Sequence, residues 1–198
     1  MTDLAPVAPV DEPDGAHRRR VAPFVALAVA VVLAGLFVVL AGADPARNET
    51  ADTQLLDRPA PAASGELADG TTFDLSRRKG SWVVLNFFTS NCAPCRREHP
   101  ELLRFVEQQD GLGADGAELY TIAVGGEPHD VVEEYFADNG GDWPVVFDGD
   151  GRFSVAFGVS KVPETWVIDP DGVVRARVIS EVTAEFLSSS IQRGREQR

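Results

Sequence analysis

The chain has 198 residues, 44% of them apolar and 25% charged, with a formal net charge of −13. The apolar share is enough for a packed core, which excludes disorder throughout. The acidic balance excludes a nucleic-acid-binding surface, which needs clustered Lys and Arg, and opposes broad adsorption to anionic lipid.

In chain order, residues 1–20 read as a disordered cytoplasmic leader, Pro/Ala/acid-rich and without periodicity, ending in His17-Arg18-Arg19-Arg20. Residues 21–43 carry no charge. At ~1.5 Å per residue they are long enough to cross a ~30 Å hydrocarbon core as a helix. Pro23 falls in the first turn, where its missing N–H costs little. The triple arginine on the N-terminal flank predicts an inside N-terminus. The expectation is a single-pass protein of the cell membrane, with membrane contact through this N-terminal helix and an extracytoplasmic C-terminal domain. A cleaved signal peptide competes, because Ala41-Gly42-Ala43 has the small-x-small form of a cleavage site, although the apolar run exceeds the usual core of about 7–15 residues. Residues 44–63, rich in Pro and Ala, are expected to form a tether. The folded domain is expected over 64–192, with a tail at 193–198.

Within that domain, Gly65–Phe73 predicts a short hairpin turning at Asp69-Gly70. Ser81–Phe88 is an apolar run suited to a central strand, and Pro94–Gln109 a helix with a kink at Pro100. Glu118–Val124 and Trp143–Phe147 read as strands. Pro128–Asn139 has proline in its first turn and Asn-Gly at its end, which predicts a helix. Gly151–Phe157 is a short helix. Glu164–Asp169 and Val173–Ile179 predict a hairpin through Asp169-Pro170-Asp171-Gly172. Thr183 caps a last helix ending near Gln192. Helices alternating with the early strands and a hairpin at the end predict an α/β fold, with a central mixed sheet flanked by helices.

The two cysteines, Cys92 and Cys95, are the only ones in the chain and lie between the central strand and a helix. C-x-x-C in that context reads as redox chemistry. Residues three apart on a helix share a face at ~5–6 Å, close enough for a disulfide with modest adjustment. With Pro94 in the first turn, Cys92 falls at the helix N-terminus, where unpaired N–H groups and the positive end of the dipole stabilise a thiolate. Cys92 is then the attacking sulfur and Cys95 the resolving one. A structural disulfide and half of a zinc site are the alternatives. The first closes too small a loop to add much chain entropy. The second lacks ligands, since only His17, His99 and His129 remain and His17 precedes the apolar span. His99 and His129 read as surface or helix-start residues, and Trp82, Trp143 and Trp166 as core or sheet-edge aromatics. Gly125-Gly126 lacks a G-x-G-x-x-G pattern, so nucleotide binding is unsupported.

Val83–Pro100, with its C-x-P-C-R-x-E-x-P pattern, and Gly158–Gly172, with G-V-x-x-V-P-E-T-x-x-I-D, together resemble the TlpA/ResA/CcmG-type thiol–disulfide oxidoreductases. These are membrane-tethered members of the thioredoxin superfamily, so the resemblance implies a thioredoxin-like fold over about residues 60–192. It implies that Pro163 is a cis-proline facing the cysteines, which with Val162 helps hold an extended substrate segment. It implies that Glu98 tunes the cysteines or relays a proton, against a plain reading as a first-turn acid favouring the helix dipole. It also implies a substrate contact for Glu164, against a plain reading as an exposed strand-end charge. Two positions depart from the pattern. Asn91 stands where most relatives carry tryptophan, which puts partner preference in question. Asn86 falls where thioredoxins proper keep a buried aspartate, although the tethered branch often has asparagine there.

The resulting expectation is an extracytoplasmic enzyme with no cofactor beyond its Cys92–Cys95 disulfide. It exchanges with protein thiols and disulfides, apocytochrome c among the clients the family implies, and draws electrons from a membrane thiol-transfer donor. A dithiol oxidase of secreted proteins is an alternative, because ~30 mV of potential is only ~1.4 kcal/mol. A thiol peroxidase is another, since Thr89-Ser90-Asn91-Cys92 contains T-x-x-C, although Leu85 stands where peroxidases carry proline. A tethered binding module without turnover is the alternative outside enzymes.

Overall fold

A computed structural model describes residues 16–41 and 50–197, and the chain divides into two units near residue 45. The leader before residue 16, residues 42–49 of the anchor and tether, and residue 198 lie outside the described residues.

Among the described residues, the first unit holds one helix, α1 (Ala16–Ala41), with Pro23 inside it. It begins within the segment expected as a disordered leader. Its side chains are described for residues 23–38. Among them, Phe24, Leu27, Val31, Leu33, Phe37 and Val38 are all exposed. At ~1.5 Å per residue that stretch covers ~24 Å, and among the described residues no helix is long and apolar enough to cross a membrane. The expected anchor, residues 21–43, extends past those side chains at both ends.

The second unit is a seven-stranded mixed sheet with strand order β2-β1-β5-β4-β3-β6-β7. The strands are β1 (Ser64–Leu67), β2 (Thr72–Asp74), β3 (Val83–Phe88), β4 (Glu118–Ala123), β5 (Val145–Phe147), β6 (Glu164–Ile168) and β7 (Val174–Ile179). β3 pairs parallel to β4 and antiparallel to β6, and β4 pairs parallel to β5. All six residues of β3 are buried. A strand covered on both faces has no reason to alternate polar and apolar, which is why it reads as a continuous apolar run.

Alternation along β3 sorts the core. Val83, Leu85 and Phe87 face a cluster with Phe153 and Phe157 of α4 (Arg152–Phe157) and with Trp166 and Ile168 of β6. Val84 faces the other side, with Leu102 and Phe105 of α2 (Ala93–Asp110) and Leu187 and Ile191 of α5 (Ala184–Glu196). Phe88, at the end of the strand, packs with Cys95 and with Val132 and Tyr135 of α3 (His129–Asn139). The three tryptophans are buried, as expected. α2 continues through Pro100, and α5 runs on to Glu196, into the expected tail.

Residues 50–63, expected as the domain-side part of the tether, lie instead along the edge of β7. Ala51 N–H donates to Arg177 O at 2.7 Å, Asp57 N–H to Val174 O at 2.9 Å and Ala60 N–H to Gly172 O at 2.8 Å. Arg175 pairs with Asp57 at 2.8 Å, and Leu55 and Ala60 pack against the core. An edge strand offers a row of unpaired backbone groups, and this segment satisfies them. Its Pro/Ala composition hides that role, because the pairing uses backbone rather than side chains.

Candidate active site

The active-site turn leaves the C-terminal end of β3 and enters α2. Cys92 N–H donates to Thr89 O at 3.2 Å, closing the turn. Cys92 then caps α2 in extended conformation, and Cys95 N–H donates to its Sγ at 3.1 Å. Pro94 lies in the first turn, where no N–H is missed. Cys92 and Cys95 form a disulfide with Cα atoms 5.2 Å apart. Cys92 is partly exposed, and Cys95 is buried at 1% exposure. One sulfur therefore meets solvent at a helix N-terminus and the other lies one turn beneath it. That is the geometry of an attacking and a resolving thiol.

The peptide bond between Val162 and Pro163 is cis. Val162 packs against the apolar cluster that also holds Cys92, Cys95 and Phe88. Pro163 is buried, and its carbonyl accepts from Ser180 N–H at 3.0 Å. The cis bond at Pro163 is the one the resemblance implied.

Glu98, one turn further along α2, is 1% exposed. Its Oε1 accepts from Val182 N–H at 2.8 Å and its Oε2 from Asn86 Nδ2 at 3.0 Å. Burial pushes its pKa from 4.5 up to about 8; the two hydrogen bonds oppose the rise, and Glu181 adds to it. A first-turn acid that merely favours the helix dipole would be solvated, and this one is not. Asn86 also donates to Thr165 Oγ1 at 3.0 Å, across the β3–β6 pairing. Among the described residues its Oδ1 is the buried side-chain atom with no hydrogen-bond partner.

Glu164 departs from its expected place. It pairs with Phe87 across the sheet, so its side chain points to the α4 face, opposite Asn86 and Thr165. There it is buried, receiving Arg177 Nε and Trp166 Nε1 on Oε1 at 2.9 and 2.8 Å. Arg177 in turn sits 5.1 Å over the Trp166 ring. The structure gives this carboxylate an internal ion pair in place of an open contact beside the disulfide. His99 also departs from expectation: it is buried among Tyr135, Phe136 and Trp143, its Nε2 lies 2.9 Å from Gly140 O, and burial lowers its pKa. His129 does start α3 and is exposed, its ring stacked on Phe147 at 3.6 Å.

Two residues of the site escaped the sequence reading. Glu127, in the loop before α3, receives Ser90 N–H on Oε2 at 2.8 Å and the Ser90 hydroxyl on Oε1 at 2.5 Å. Arg96 donates to Ser90 O at 3.0 Å. Glu127 has no local mark, since its partner Ser90 lies 37 residues back and is brought to it by the β3–β4 pairing, while Arg96 reaches Ser90 along its own turn.

The chain matches the AhpC/TSA family over residues 56–177. It is 33% identical over 126 residues to the thiol-disulfide oxidoreductase ResA of Bacillus subtilis, covering 64% of this chain and 66% of that protein. It is 31% identical over 142 residues to the thiol:disulfide interchange protein HelX of Rhodobacter capsulatus, covering 70% of this chain and 76% of that one. The chain belongs to the AhpC/TSA family, in its TlpA/ResA/CcmG-type branch. Among solved structures, a secreted thiol-disulfide isomerase from Corynebacterium glutamicum superposes with a TM-score of 0.63 at 25% identity, covering 75% of this chain and 92% of that one. The thioredoxin-like α/β fold of this family member is thus shared with that structure.

Proposed function

We propose that this family member is a membrane-anchored, extracytoplasmic reductant of client disulfides that serves cytochrome c maturation. The observation that carries the exchange chemistry is the partly exposed Cys92 at the α2 N-terminus above the buried Cys95. In the dithiol form, the Cys92 thiolate attacks a client sulfur and expels one client thiolate, leaving a mixed disulfide. Cys95 then attacks the Cys92 sulfur, expels the second client thiolate and closes Cys92–Cys95. Two electrons pass to the client, and a membrane thiol-transfer donor returns them. Glu98, held largely neutral at pH 7 by burial, gives its proton to the first client thiolate expelled, and the carboxylate so formed takes the proton of Cys95 as that thiol attacks. Val162 and Pro163 hold the client segment against the disulfide.

The anchoring rests on the uncharged run 21–43 behind Arg18-Arg19-Arg20, and on the exposed apolar side chains of α1. Apocytochrome c as client rests on the family pattern around the cysteines. Nothing in the site favours a thiol peroxidase: the Thr89 hydroxyl is engaged with Asn91 Oδ1 at 3.0 Å. The test is trapping in the native host. A Cys95→Ser chain should accumulate a mixed disulfide between Cys92 and a haem-attachment cysteine, identified by mass spectrometry. Equilibration with glutathione adds the direction, and a potential well above about −180 mV would replace the reductase reading with a dithiol oxidase.

A further inference from the structure

Ser90 lies two residues before Cys92 and is buried, with every polar atom engaged. Its N–H and hydroxyl both donate to the Glu127 carboxylate, and its carbonyl accepts from Arg96. The Arg96 guanidinium also sits 5.1 Å over the Tyr135 ring, which ties the arrangement to α3. Glu127 is delivered by Gly125 and Gly126, whose φ angles of +77° and +67° place two consecutive residues in the left-handed region. Only glycine takes that conformation at no steric cost, so the β4–α3 loop is shaped to bring this carboxylate to the active-site turn. The same turn carries the bond from Cys92 N–H to Thr89 O and ends where Cys95 N–H meets Cys92 Sγ.

We infer that Glu127 is a positioning residue for thiol–disulfide exchange: by gripping Ser90 it fixes Cys92 Sγ at the mouth of α2. The inference rests on the oxidoreductase reading of the cysteine pair. Exchange makes two geometric demands on that sulfur. It must approach a client sulfur in line, and it must then present its own far side to Cys95. Both fail if the turn wanders, and a displacement of ~1 Å can cost ~10²-fold in rate. A brace that served stability alone would leave the rate of the folded protein unchanged.

The test uses the full-length reduced protein in detergent, with glutathione disulfide as the probe and the second-order exchange rate as the readout. Glu127→Ala is expected to lower the rate about tenfold or more, and Ser90→Ala about threefold. Glu127→Gln keeps one acceptor oxygen for the Ser90 N–H and should recover the rate to within about threefold of wild type. The double variant Ser90→Ala, Glu127→Ala should be no slower than Glu127→Ala alone, because both act through one contact. A folded Glu127→Ala protein within about twofold of wild type would overturn the inference, as would losses that add in the double variant. If Glu127→Ala does not fold, Ser90→Ala and Glu127→Gln decide: an undiminished Ser90→Ala rate overturns the inference. A wild-type protein with no exchange dependent on Cys92 would overturn the oxidoreductase reading and the positioning role together. An active wild type with an equally active Glu127→Ala variant overturns the positioning role alone.

Discussion

Glu98→Gln separates the two consequences of burying a carboxyl one helical turn beyond a redox pair. In the folded protein burial raises the pKa of Glu98 to about 8, from an ordinary 4.5 in the unfolded chain. The neutral form is therefore the favoured one. Below pH 4.5 the acid is protonated in both states and costs nothing extra. As pH rises towards 8 the unfolded chain releases its proton while the folded one keeps it, so stability falls until the folded acid also ionises. At ~1.4 kcal/mol per pH unit, the interval amounts to roughly 5 kcal/mol as an upper bound. The glutamine variant has the same shape and no charge to bury. Its amide oxygen can still accept from Val182 N–H, and its NH2 can face Asn86 once that amide reverses to offer the unpartnered Oδ1. Denaturant unfolding of the disulfide form avoids thiol titration. Subtracting the variant's stability from that of wild type at each pH removes every other titrating group. The expected difference is near zero at pH 4 and grows to roughly 2–5 kcal/mol in the variant's favour at pH 9. The exchange rate should move oppositely, about tenfold slower in the variant at pH 7, because a proton donor has gone. Parallel stability curves across this range would refute the buried, proton-holding role.

Arg177→Ala leaves Glu164 buried without its cation and should lower stability by about 3 kcal/mol, measured by urea unfolding. The exchange rate should hold, since this ion pair faces away from the disulfide. Gly65→Ala would bring a Cβ within 2.5 Å of Val146 Cγ1 and 3.0 Å of the Phe147 carbonyl, forcing β1 away from β5. A fall of about 1–3 kcal/mol is expected, read as a lower thermal midpoint. Val162→Asp places a charge in the apolar cluster that holds Cys92 and Cys95, and should weaken exchange with a protein disulfide more than with glutathione disulfide.

Most of the scaffold was legible because its signals are local. The β3 run, the Asp-Gly turns, the Thr183 cap and Pro94 at the start of α2 each announce an element from within a few residues. The redox pair was legible for the same reason, since C-x-x-C at a strand–helix junction dictates its own geometry. What was misplaced depends on partners far along the chain. Glu164 looked like an exposed strand end because Arg177 is 13 residues away on β7. His99 looked like a surface residue because the aromatic wall that buries it comes from α3 and Trp143. Residues 50–63 looked like a tether because their contacts with β7 are made largely by backbone, which composition does not encode, and the side-chain pair of Asp57 with Arg175 spans 118 residues of chain.

The two carboxylates around the turn show how one side-chain chemistry is given two tasks by its surroundings. Glu98 has two donors and an apolar enclosure, so it holds a proton close to physiological pH, and the proposed mechanism has it release that proton. Glu127 is met on both oxygens by Ser90, in a loop open to solvent at Gly125 and Gly126, and its value lies in where it holds the chain. Replacing either by glutamine removes a charge but leaves an acceptor. Loss of rate on Glu98→Gln with retention on Glu127→Gln is therefore the pattern that assigns proton transfer to the first and position to the second. The reverse pattern would exchange their roles.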